Sequence, residues 1–178
     1  SIQVIDPTVV DAGPDIATCE STTLIELDAN TPGGVWSGNN VTPNGLFSPN
    51  SFGITNLTYS LGSGSCLSTD IITVEVFEIP TIDLDADENI CFGDEVQLNA
   101  MVSGGTAPYI SPTWTSASSL DDPSSYSPIA SPSTTTNYTF TIEDDNGCSV
   151  SESIDVNVLP LPIVEAGPDL TLCNQPIA

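Results

Sequence analysis

The sequence predicts an all-β chain built from tandem antiparallel β-sandwiches. Three observations lead there. Short runs alternate apolar with polar residues and are separated by turn chemistry. One segment recurs at the spacing of a small domain. Good helix formers are scarce, with Met present once and Lys and Arg absent. Ser and Thr together number 42, Pro 15 and Gly 13, and Val, Ile and Thr are plentiful, a mixture that suits strands joined by turns rather than helices.

The strands follow in order. In the first half, residues 23–27, 57–61 and 71–77 are β-rich, and the run Leu57, Thr58, Tyr59, Ser60, Leu61 alternates. In the second half, residues 96–102, 138–142 and 154–158 alternate as half-buried strands do. Asp145, Asn146 and Gly147 lie between two of these runs and signal a hairpin. Residues 62–65, Gly-Ser-Gly-Ser, fill the same place in the first half. Closely spaced strands without helical period argue for sandwiches.

The repeat sets the organisation. Residues 10–19, 84–91 and 164–173 match one another, and in each an Asp (Asp15, Asp87, Asp169) stands four residues before a Cys (Cys19, Cys91, Cys173). The cysteines are 72 and 82 residues apart, which is one small domain per period rather than one solenoid coil. Residues 1–4 resemble residues 153–156, which close the second repeat. The expected division is a last strand of a preceding repeat at 1–6, whole repeats at 7–79 and 80–160, and the start of a following repeat at 161–178. A complete two-domain protein with ragged ends is the alternative. The chain does not begin with Met and opens on no signal peptide, so it is expected to be a mature or excised segment.

Charge excludes many functions. The chain has 24 acidic residues, no Lys, Arg or His, and a net charge of −24 at pH 7. It cannot neutralise phosphates, so no nucleic-acid partner is expected. It cannot build a Ser-His-Asp or Cys-His site, a P-loop, a Schiff base or a His-based zinc site. Anionic membrane surfaces repel it, and no apolar run approaches a membrane span, so direct membrane insertion is not expected. A paired-carboxylate glycosidase is compatible with composition but needs a cleft that so small a sandwich rarely offers, and no enzyme is expected.

Each whole repeat holds two cysteines with one Trp between them: Cys19, Trp36, Cys66 and Cys91, Trp114, Cys148. That order resembles the Cys-Trp-Cys of immunoglobulin-like sandwiches. The resemblance implies bonds Cys19–Cys66 and Cys91–Cys148, one per sandwich, each contributing roughly 4 kcal/mol on the chain-entropy model. Cys173 is then paired outside the segment. Free thiols, or thiolate ligation of a metal, are the alternatives. Paired cysteines imply an oxidising compartment. The tryptophans are expected as core anchors, with sugar stacking as the alternative.

Residues 114–123, then 128–132, 134–139 and 145–149, together with the Ala-Gly-Pro-Asp openings at 12–15 and 166–169, resemble the PKD-like and Ig-like repeats of very large surface proteins of Bacteroidetes. The flavobacterial gliding-motility adhesin is a protein of that type. The resemblance covers nearly the whole chain. The first repeat departs from it around Trp36, where residues 33–38 replace the long Trp-to-Pro segment. It implies export by type IX secretion and a cell-surface or extracellular location. It also implies a role as stalk or filament repeats of an adhesin. The implied partners are neighbouring repeats, with polysaccharide or protein ligands bound by other parts of the protein. A glycan- or protein-binding module acting through loop tips is the rival.

Repeated carboxylates at the junctions are candidate calcium ligands: Asp83, Asp85, Asp87 and Glu88, with Asp11, Asp15 and Asp169 at matching places. Asp144 and Asp145, near the hairpin, form a second acidic cluster. Solvated charges that keep the chain extended are the plainer reading.

Overall fold

A computed structural model describes residues 9–165 and 167. The tail at 1–6, residues 7 and 8 of the first repeat, and Asp169 and Cys173 of the following head lie outside the described residues. The described residues form strands, two short 3-10 turns and no α-helix.

Six strands occupy the first half: β1 (Ile16–Cys19), β2 (Ile25–Glu26), β3 (Val35–Ser37), β4 (Leu46–Phe47), β5 (Gly53–Leu61) and β6 (Ser68–Phe77). One sheet has the order β1-β6-β5-β3, and β2 pairs with β4 across from it. Eight occupy the second half: β7 (Pro80–Leu84), β8 (Glu88–Cys91), β9 (Val96–Gln97), β10 (Ala100–Gly104), β11 (Ile110–Trp114), β12 (Ile129–Ala130), β13 (Thr136–Glu143) and β14 (Ser149–Leu159). Its main sheet has the order β8-β14-β13-β11, beside the pairs β7-β10 and β9-β12. The two main sheets correspond strand for strand.

The alternation seen in the sequence places the cores. Leu57 and Tyr59 on β5 face Ile72, Val74 and Val76 on β6, and close on Trp36 and Phe47. Tyr138, Phe140 and Ile142 on β13 and Ile154 and Val156 on β14 close on Trp114 and Leu98. The two cores share no residue. Each Trp meets an aromatic ring at 4.9 Å between centroids, Tyr59 in one unit and Phe140 in the other. Both tryptophans are core anchors, 4% and 1% exposed, and neither offers a ring face to a sugar.

One pairing in each main sheet departs from the antiparallel pattern. β1 runs parallel to β6, with Cys19 opposite Phe77, and β8 runs parallel to β14, with Cys91 opposite Leu159. The first cysteine of each unit therefore lies where the long last strand ends and the chain leaves that unit. The second cysteine lies in the turn before that strand begins. β6 has ten residues and β14 eleven, so the two poles of a unit are roughly 30 Å apart.

Candidate interface between the units

That geometry corrects the expected disulfides. Cys19–Cys66 and Cys91–Cys148 would each have to span a whole unit, several times the reach of a disulfide. The structure instead bonds Cys19 to Cys148, with their Cα atoms 5.7 Å apart and 129 residues between them in sequence. The bond joins the leaving end of the first unit to the hairpin turn of the second. Cys66 and Cys91 are free and exposed. The intradomain pairing assumed that both cysteines of a unit share one end; the parallel direction of β1 and β8 separates them.

The hairpin turn that carries Cys148 is held by Asp144, whose side chain is fully buried. One carboxyl oxygen accepts the backbone N–H of Asn146 at 3.0 Å and of Cys148 at 2.9 Å. The other accepts the N–H of Thr106 at 2.9 Å. The Asn146 side-chain amide donates to Thr106 Oγ1 at 2.9 Å, and the Asp145 N–H donates to the Thr106 carbonyl at 3.0 Å. The turn and the 105–106 loop are thus one assembly. Gly147 closes the turn at φ +78°. A Cβ on Gly105 would stand 2.9 Å from Asp144 Oδ2 and 3.1 Å from Pro80, so glycine alone fits there. Only Glu78 and Ile79 separate β6 from β7. The units are joined twice, by this two-residue linker and by the disulfide.

Among the described residues, Asp11, Asp15, Asp83, Asp85, Asp87 and Glu88 do not form a shared ligand set. Among the described residues no group of three or more His, Cys, Asp or Glu side chains is placed to hold a metal ion. Most instead accept hydrogen bonds from the protein, which suits a chain without cations. Asp15 accepts the N–H of Thr73 at 2.7 Å, and Asp87 accepts the N–H of Asp155 at 3.0 Å. These are matching places on β6 and β14, so the repeated Asp fastens the parallel edge strand to its neighbour. Asp11 accepts from the Gly13 N–H at 2.9 Å and the Asn30 side-chain amide at 3.0 Å. The Gly13 bond and then the Asn30 bond hold its carboxyl below the ordinary value. Asp85 accepts from the Asn99 side chain at 2.7 Å. Asp83 and Asp85 border one hollow with Asn99, while Glu88 lies on β8. Sequence reasoning missed Asp144 as the organiser of the turn. The signal was there: an Asp one residue ahead of a hairpin motif whose own amides need acceptors.

No family model and no curated protein matches the chain. Solved structures do. The N-terminal eight Ig domains of Down Syndrome Cell Adhesion Molecule match with a TM-score of 0.53 at 15% identity, over 85% of this chain and 24% of that one. Extracellular domains 3–5 of Drosophila OTK match with a TM-score of 0.44 at 13% identity, over 82% of this chain and 59% of that one. Immunoglobulin domains 1–5 of Sidekick-1 match with a TM-score of 0.37 at 18% identity, over 83% and 38%. This chain therefore spans less than two thirds of each of these structures. The likeness to the Down Syndrome Cell Adhesion Molecule domains establishes the fold: tandem immunoglobulin-like β-sandwiches. Among the described residues no helix is long and apolar enough to cross a membrane.

Proposed function

We propose that the chain is a non-catalytic length of stalk or filament in a secreted bacterial cell-surface adhesin. On this reading residues 7–79 and 80–160 are repeats of a longer array that holds a binding tip away from the cell or forms a motility-associated surface thread. The observation that carries it is the double connection between units. A two-residue linker and the Cys19–Cys148 bond leave the joint little freedom to hinge, as a spacer under load requires. A net charge of −24 without a single cation makes neighbouring filaments repel one another. The disulfide suits an extracytoplasmic location. The resemblance to Bacteroidetes surface repeats supports export by type IX secretion, and the Ig-like fold of cell-adhesion molecules supports the adhesive context. Antibodies raised against residues 9–165 test the reading on intact, unpermeabilised cells. Label along surface filaments is expected; label found only after permeabilisation overturns it.

A further inference from the structure

We infer that Cys19–Cys148 is one rung of a repeating covalent register, in which the first cysteine of every unit bonds the hairpin-turn cysteine of the unit that follows. Cys91 then receives the turn cysteine of the unit that begins near Val164. Cys66 reaches back to the first cysteine of the unit before. The inference rests on the array reading above and adds how its members are locked.

Equivalence carries the first part of the argument. Cys91 ends β8 opposite Leu159 as Cys19 ends β1 opposite Phe77. Cys66 ends the short 3-10 turn between β5 and β6, where Cys148 stands between β13 and β14. Both bonded cysteines thus have unbonded, exposed counterparts at the outer poles.

Spacing carries the second. Within a unit the two cysteines are 47 residues apart in one case and 57 in the other, reading 19 to 66 and 91 to 148. Across a junction, from turn cysteine to the next opening cysteine, 66 to 91 and 148 to 173 are both 25. The distance that stays fixed is the one between successive rungs, while the intradomain distance drifts with loop length.

The surface at the outer pole agrees. Phe92, Leu159 and Leu161 are about half exposed around an apolar hollow that also takes in Thr134, Val158 and Pro160. The matching pole of the first unit, beside Glu20 and Ile79, is where Cys19 holds the second unit. A following unit of the same kind is therefore the occupant that this pole fits.

Each rung forms as two thiols lose two protons and two electrons. The electrons reduce a protein or small-molecule disulfide of the extracytoplasmic space to two thiols. The product is a strap. From Cys66 to Cys91 the chain has 25 residues, about 85 Å when extended, against roughly 65 Å for β6 and β14 end to end. Load entering at one rung leaves at the next after at most about 20 Å of extension.

The test is differential alkylation of the full-length secreted protein, unreduced, followed by digestion at acidic residues and mass spectrometry. The register predicts that Cys66 and Cys91 take no iodoacetamide before reduction and both take it afterwards. It also predicts linked peptides that join each to a different neighbouring unit. Substituting Cys91→Ser in that protein should free one new thiol, on the following unit's turn, and leave Cys148 blocked. Free thiols at Cys66 and Cys91 in a protein that does carry flanking repeats overturn the register alone. A mature protein without flanking repeats overturns the array reading and the register together.

Discussion

Consider the chain held at its two termini and pulled, with Cys148→Ser in place of the native cysteine. In the native protein the Cys19–Cys148 bond carries the load past the residues between them, and its Cα atoms stay 5.7 Å apart however the units respond. The bypassed stretch has a sequence separation of 129 residues, about 440 Å when fully extended at ~3.4 Å per residue. Removing the bond places that whole length in the load path. Single-molecule force spectroscopy with handles at both ends reads the difference directly. The native protein under oxidising conditions should yield only the short outer stretches. The Cys148→Ser variant, or the native protein in reductant, should gain about 430 Å in two events, one for each core. Equal extension with and without reductant would refute the reasoning, because then no covalent bridge shields residues 20–147.

Other predictions concern the groups that shape each unit. Asp144→Ala leaves three backbone N–H groups without their acceptor and should cost about 3 kcal/mol in the second unit, read as a lowered denaturant midpoint. Asp15→Ala and Asp87→Ala each remove one bond that fastens an edge strand and should cost about 1 kcal/mol, each in its own unit's transition. Gly105→Ala should destabilise the second unit and loosen the turn, seen as faster hydrogen exchange at residues 144–148. The Asp11 carboxyl titrates below its usual 3.8, so its contribution is fully present above that value and is lost as pH falls through the lowered one. Asn30→Ala should move the Asp11 midpoint upward in an NMR titration, and an unmoved midpoint would contradict the assigned cause.

Much of the fold was legible because it depends on local pattern. Tyr138, Phe140 and Ile142 alternate, and they are buried. Asp145, Asn146 and Gly147 signal a hairpin, and the chain turns there. Trp36 and Trp114 sit in their cores as expected. The disulfides were not legible, since pairing depends on which end of a long strand each cysteine occupies. The residues before Cys19 do not say which way an edge strand runs, and only the parallel register of residues 16–19 with β6 sends Cys19 to the far pole. The repeated Asp illustrates the same limit. Its spacing before each Cys is plain in the sequence, but the partner that explains Asp15 lies 58 residues away on Thr73. Nothing in the residues around Asp15 or Asp87 names the backbone amide that each one accepts from.

The central claim is that the covalent bridge runs between units rather than within them. Trypsin has no site in this chain, so the unreduced protein is digested at acidic residues and analysed by mass spectrometry. A linked pair of peptides covering residues 16–20 and 146–152 is the predicted result. Residues 16–20 joined instead to the peptide covering 29–70, which carries Cys66, would contradict it.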